Sequence, residues 1–177
     1  MFIPKSFYTT IALESLINHF SNGRGLDLSI EDLPDEFSNP AACFVSLYTK
    51  GGKLRGCMGS VIPQTTTLYD EIISNTMHAA FGDKRVPPLT EAELDHVSIT
   101  VEVVQPFEKI ASLNELQPQV YGVMVKDKSG KIGVLLPATG EIETVEQQVK
   151  TACDKGGIIY NTAKELNIYR FKVVLFS

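Results

Sequence analysis

The run Leu54-Arg55-Gly56-Cys57-Met58-Gly59 sets a thiol two residues from a guanidinium and flanks it with glycines. A cation close to a cysteine favours the thiolate, which is the nucleophilic form. Gly56 and Gly59 bring no side chain to crowd the thiol, so a ligand or another stretch of backbone can approach closely. Arg55, Gly56, Cys57 and Gly59 are therefore candidates for an activated thiol or an anion-binding corner, with Cys57 the candidate catalytic group. The simpler reading is that Cys57 fills a strand as a small apolar residue, cysteine being among the most buried residue types. A catalytic thiol also needs a base, and no histidine stands next to this one in sequence. His78 could join it from a following helix, although Glu71, Asn75 and His78 form the wet face of that helix more simply.

Asp83, Lys84 and Arg85 add one carboxylate and two cations that can reach the same surface, and Asp83 and Arg85 join the candidate ligand-binding set. The plainer alternative is a solvated charged turn. Pro87-Pro88 reads as a rigid turn ending a helix. The stretch KSGKIG lacks the spacing of a phosphate-binding loop and lies between strands, so it receives no nucleotide role. Cys43, Cys57 and Cys153 are odd in number and without C-x-x-C spacing, so neither a disulfide framework, a metal site nor a cofactor is expected.

The elements that position these residues follow from periodicity. Phe7, Ile11, Leu16, Ile17 and Phe20 recur at helical spacing over residues 6–20, ahead of the break at Asn22-Gly23. Residues 21–40 mix Asn, Gly, Asp, Pro and Ser without a period and read as a long surface loop. ACFVSLYT and KLRGCMGSV read as a hairpin with Gly51-Gly52 as its two-residue loop. That register pairs Lys50 with Lys53, Tyr48 with Arg55 and Ser46 with Cys57. It puts Arg55 and Cys57 on one face, opposite Leu54 and Met58, which share the core side with Cys43, Val45 and Leu47. A threonine cluster at 65–67 caps a second helix running through Phe81.

Beyond the DKRVPP loop, Thr90 and Glu93 form a capping box for a short turn, and VSITVEVV alternates as a strand. Ser112 and Glu115 cap another turn, and GVMVKDKSGKIGVLLP gives a second hairpin around Lys128-Ser129-Gly130. A third helix runs from Thr144 to Lys155 before Gly156-Gly157, and IYRFKVVLF closes the chain as one strand. No internal repeat is read. Hairpins interrupted by helices give an α+β class with a mainly antiparallel sheet flanked by helices.

The 177 residues suffice for one domain, divisible at most into two subdomains. With 44% hydrophobic and 21% charged residues the balance is globular. A net charge of -5 and a pI near 5.2 weigh against nucleic acid as a partner. No run approaches the roughly eighteen apolar residues of a membrane span, and the start MFIPKSFYTT lacks a secretory pattern, so a cytoplasmic protein without a membrane partner is expected.

The run from Leu54 to Ser60 resembles the LRGCIG signature of the AMMECR family, with Met58 in place of isoleucine. AAFGDKRVPPLTEAEL is similar to that family's AA-x-x-D-x-R-F-P-P-L segment, with Val86 where the family has phenylalanine. VSITVEVV, GVMVKDKSGKIGVLLP and YRFKVVLF extend the resemblance over most of the chain, and residues 21–40 match least. The resemblance implies a larger part built on an antiparallel sheet and a smaller part packed beside it. It also implies a modification pathway shared with Memo-type and radical-SAM proteins as partners. The ligand would be an unidentified small molecule or peptide, and fold likeness alone leaves enzyme and binder both open.

Overall fold

The computed structural model of the chain describes residues 2–21, 30–160 and 166–177. Its elements in order are α1 (Phe7–Phe20), β1 (Cys43–Thr49), β2 (Leu54–Gly59), α2 (Leu68–Phe81), β3 (Val97–Val104), β4 (Glu108–Lys109), β5 (Gly122–Lys126), β6 (Ile132–Leu135), α3 (Val145–Lys155), β7 (Asn167–Phe171) and β8 (Val173–Phe176). Among the described residues two four-stranded sheets result, ordered β2-β1-β3-β8 and β4-β7-β5-β6. The strand pairings of β1 with β2 and β3, and of β7 with β4 and β5, are antiparallel, as is that of β5 with β6. The class is α+β, as expected from the hairpin pattern. The chain divides into one unit of residues 1–103 with 175–177 and a second of residues 104–174.

In the first unit Ser6 caps α1, its side chain accepting the Thr9 N–H at 3.3 Å, and Ile11, Ala12 and Leu16 are fully buried along one stripe. Cys43, Val45 and Leu47 of β1 meet Ile72 and Ala79 of α2 and Ile99 and Val101 of β3 in one core. Each fully buried Ile, Leu or Val contributes about 1.5–3 kcal/mol of hydrophobic stabilisation before the entropy of ordering it is counted. The expected surface loop of residues 21–40 differs from the structure in part. Two 3-10 turns, Ile30–Asp32 and Asp35–Ser38, interrupt it, and Phe37 is fully buried with Leu33 beside the same core. Residues 22–29 of that loop, with the Asn22-Gly23 break, lie outside the described residues.

The second unit has its own core of Val123, Val125, Leu135, Val149, Ala152, Cys153 and Ile168. Thr144 caps α3 by accepting the Gln147 N–H at 3.2 Å, and Gly157 takes the left-handed φ of 61° just past the helix end. The capping boxes read at Thr90/Glu93 and Ser112/Glu115 are both formed. The single closing strand is corrected to two: β7 pairs with β5 and β4, Lys172 separates them, and β8 joins the first sheet. Periodicity could not reveal that break, because Lys172 between Phe171 and Val173 continues an alternating pattern as readily as it ends one.

Candidate functional site

The first hairpin departs from its expected register in a way that rearranges the candidate residues. Its loop holds three residues, Lys50-Gly51-Gly52, with the Thr49 N–H donating to the Lys53 carbonyl at 2.8 Å and Gly52 at φ 76°. A left-handed third residue is what a three-residue hairpin requires. Tyr48 therefore pairs with Leu54, not Arg55, while Leu47 pairs with Gly56 and Ser46 with Cys57. The mismatch is absorbed by one extra residue, Arg55, a β-bulge that sets Arg55 and Gly56 together opposite Leu47. Arg55 consequently leaves the face of Cys57 for the side of Leu47, and Leu54 shares the face of Tyr48 and stands 40% exposed. The expected sharing of one face by Arg55 and Cys57 is thus corrected.

Arg55 is 8% exposed and fully engaged. Its Nε and Nη2 donate to the two carboxylate oxygens of Glu93 at 2.7 and 3.0 Å, and Nη1 and Nη2 donate to the carbonyls of Pro87 and Pro88 at 2.9 and 3.2 Å. This is a bidentate, charge-assisted clamp. Glu93 also accepts the Thr90 N–H at 2.9 Å. Hydrogen bonding to Arg55, aided by Thr90, moves the Glu93 carboxyl from 4.5 down to about 2. The helix before them ends at Phe81 with Gly82 as its cap, so Pro87 and Pro88 do not end it as expected; they serve through their carbonyl groups.

The cation beside Cys57 is Arg85. Asp83, only 7% exposed, follows α2 and accepts the Cys57 backbone N–H at 3.0 Å. The Arg85 guanidinium donates to Asp83 through Nε at 2.8 Å and Nη2 at 2.6 Å, and Nη2 lies 3.5 Å from the Cys57 carbonyl. Hydrogen bonds from Arg85 and from the Cys57 N–H hold the Asp83 carboxyl far below the usual carboxylate range. Asp83 in turn raises the Arg85 pKa. The Arg85 side chain is still 64% exposed. Asp83 and Arg85 together satisfy both backbone groups of Cys57 at the outer edge of β2, an edge strand of its sheet.

The glycines answer to the protein's own backbone. A Cβ on Gly56 would overlap the carbonyl oxygen of Ala79 in α2, and one on Gly59 would collide with Cys43 and Phe44 of β1. Cys43 and Cys153 are fully buried, and Cys57 is half-buried. Burial pushes the Cys43 thiol up to about 12 and raises that of Cys153.

The wet face assigned to Glu71, Asn75 and His78 is also corrected, for Glu71 and Asn75. Glu71 is 1% and Asn75 7% exposed. Glu71 accepts the N–H groups of Gln64 and Thr65 at 2.9 and 3.0 Å, and Asn75 donates to Glu71 and to the Cys43 carbonyl at 3.3 and 3.1 Å. These side chains fasten the segment after β2 to α2, and nothing in their helical spacing distinguishes such a network from a solvated face. His78 is exposed, its Nδ1 3.4 Å from Ser74 Oγ. Among the described residues no three His, Cys, Asp or Glu side chains gather as a metal site. Nor is any helix among them long and apolar enough to cross a membrane.

These features define an α+β protein of two antiparallel sheets with a Cys-Asp-Arg corner on one sheet edge. Residues 9–176 match the AMMECR1 family, and the chain belongs to it. A protein of Thermotoga maritima is 36% identical over 167 residues, covering 94% of each chain. A protein of Clostridium acetobutylicum is 34% identical over 96% of this chain, which spans only 35% of that longer relative. The crystal structure of the uncharacterised protein PH0010 from Pyrococcus horikoshii superposes with a TM-score of 0.79 over 98% of this chain and 92% of that one, at 22% identity, and thus shares the fold.

Proposed function

We propose that this AMMECR1-family chain is a cytoplasmic ligand-binding accessory protein, whose recognition group is the Arg85 guanidinium held beside Cys57. The carrying observation is the Asp83 bridge, which fixes the guanidinium by two hydrogen bonds at 2.8 and 2.6 Å while leaving 64% of the Arg85 side chain exposed. A pre-oriented guanidinium recognises a carboxylate or phosphate at little cost in entropy. The ligand is an anionic group on a small molecule or peptide, and Cys57, whose carbonyl lies 3.5 Å from Arg85 Nη2, is the candidate nucleophile beside it. The buried Arg55 serves by holding the loop, and Gly56 and Gly59 serve by letting β2 lie close to α2 and β1.

A non-catalytic interaction module is the second reading, favoured by the position of β2 at a sheet edge. Partnership with Memo-type and radical-SAM proteins belongs to either reading. The longer Clostridium relative, carrying this domain beside further sequence, supports a domain that works next to a partner.

Titration of isotope-labelled protein with inorganic phosphate and, separately, with a short acidic peptide tests the proposal. Amide shifts centred on Cys57, Asp83 and Arg85 that vanish in Arg85→Ala support it. Shifts elsewhere, or the same shifts in Arg85→Ala, reject it.

A further inference from the structure

The two hairpins share a construction that extends well beyond both being hairpins. In the first, the Gly52 N–H donates to the Thr49 carbonyl at 2.8 Å, the Thr49 N–H to the Lys53 carbonyl at 2.8 Å, and the Lys53 N–H to Thr49 Oγ1 at 3.3 Å. In the second, the Gly130 N–H donates to the Asp127 carbonyl at 3.2 Å, the Asp127 N–H to the Lys131 carbonyl at 3.1 Å, and the Lys131 N–H to Asp127 Oδ1 at 2.9 Å. Both loops begin with a lysine, Lys50 or Lys128, and end on a left-handed glycine, Gly52 at φ 76° and Gly130 at φ 89°. Lys53-Leu54 and Lys131-Ile132 follow.

The correspondence continues into the packing. Gly56 of β2 lies on the carbonyl of Ala79 in α2, and Gly133 of β6 lies on the carbonyl of Ala152 in α3, each too close for a Cβ. Thr67 caps α2 and Thr144 caps α3 in the same way, by accepting the N–H three residues on. In each sheet the hairpin's first strand is flanked by its second strand on one side and by the strand after the helix on the other: β2-β1-β3-β8 and β6-β5-β7-β4. Pairing runs Tyr48↔Leu54 and Leu47↔Gly56 in one, and Lys126↔Ile132 and Val125↔Gly133 in the other. The hairpins therefore align residue for residue, except that Arg55 has no counterpart between Ile132 and Gly133.

We infer that the chain contains two copies of one ββαβ unit, and that Arg55, inserted in the first copy alone, is the positioning residue that builds the Cys57 corner. The expectation of no internal repeat is thereby replaced. The inserted residue bulges β2 and carries its guanidinium to the carbonyls of Pro87 and Pro88 and to Glu93. That grip holds down the segment after α2, and the same segment brings Asp83 to the Cys57 N–H and Arg85 to the Cys57 carbonyl. In the second copy Val134 stands where Cys57 does. There the helix ends on Gly156, packed against Gly133. The residues common to both copies serve the fold, and those present in one only, Arg55, Cys57, Asp83 and Arg85, serve the site. The significance of that corner rests on the function proposed above, whereas the repeat and the role of Arg55 do not.

Deletion of Arg55 in the whole chain converts the first hairpin to the pattern of the second, and Arg55→Ala keeps the bulge without the guanidinium. Both variants should fold, with the Leu47 and Val125 amides still protected from hydrogen exchange. The Cys57 amide should exchange about tenfold faster or more, as expected for loss of a hydrogen bond to a charged acceptor. Arg55→Lys should restore part of that protection. Unchanged Cys57 exchange in either variant overturns the positioning role. So does loss of Leu47 protection in both, since Arg55 would then be a determinant of the whole fold. Gly56→Ala and Gly133→Ala should each lower the unfolding midpoint, and tolerance of either substitution overturns the equivalence of the copies. No readout here uses a ligand, so each can succeed or fail independently of the phosphate and peptide titrations.

Discussion

Asp83 and Cys57, separated by 26 residues of chain, are joined by a single hydrogen bond of 3.0 Å from the Cys57 backbone N–H to the Asp83 carboxylate. The same carboxylate holds Arg85, so one ionised group organises both the strand edge and the exposed cation.

Acid should undo this arrangement. Asp83 and Glu93 both have carboxyl groups depressed in the folded chain, first by their arginine partners. Groups of this kind add stability above their unfolded pKa and lose it as the pH falls toward the folded value. For Glu93 that window runs from 4.5 down to about 2. Thermal unfolding across this range should show a falling midpoint, and Glu93→Gln should be less stable near neutrality with a flatter acid limb. An identical slope in the variant would contradict the assignment.

Two glycines of one hairpin should fail differently. At Gly56 a methyl group meets the Ala79 carbonyl, and Gly56→Ala should cost about 3 kcal/mol, the upper part of the range for overpacking. Gly52 has open space around it but a φ of 76°, so Gly52→Ala should cost only about 1 kcal/mol. Urea unfolding of both variants would rank them, and the opposite order would be inconsistent with the packing.

The three thiols should separate under alkylation of the native protein. Cys57 is half-buried, whereas Cys43 and Cys153 have no exposed surface and thiols pushed up by burial. Mass spectrometry of a time course with iodoacetamide at neutral pH should find Cys57 modified first. Prior labelling of either buried thiol would argue against this arrangement.

Glu71→Ala should destabilise the chain by about 2 kcal/mol, because it takes an acceptor from the buried Asn75 amide and from the part-buried N–H groups of Gln64 and Thr65. Faster hydrogen exchange confined at first to Gln64 and Thr65 is the accompanying signature, since both amides donate to Glu71. Unaltered exchange there would show that the carboxylate does not hold this segment.

The sequence made the larger elements legible because their signals are local. Ser6, Thr67 and Thr144 cap α1, α2 and α3, and alternation from Val97 to Val104 marks a strand. The candidate site was legible in composition, since Cys57, Asp83 and Arg85 do meet, but not in partnership. One residue in the hairpin loop decided whether Arg55 or Arg85 would stand by Cys57, and period-two reasoning reverses with a slip of one. Glu71 and Asn75 were misread for a related reason: helical spacing gives a face, and only the packing of the chain after β2 says whether that face is dry.

The fourth strand of the first sheet, β8, is residues 173–176, and Phe176 stacks on Tyr8 of α1 with ring centroids 3.7 Å apart. During synthesis Tyr8 can meet Phe37 early, but it waits for this stacking partner until the entire second unit has been translated. A nascent chain halted after Val103 would carry a three-stranded sheet with β3 at an open edge, a species prone to pairing with its neighbours on a polysome. Closure of the first unit is thus a late, long-range event, and ribosome-bound chains should acquire protease resistance at β3 only once Phe176 has cleared the exit tunnel.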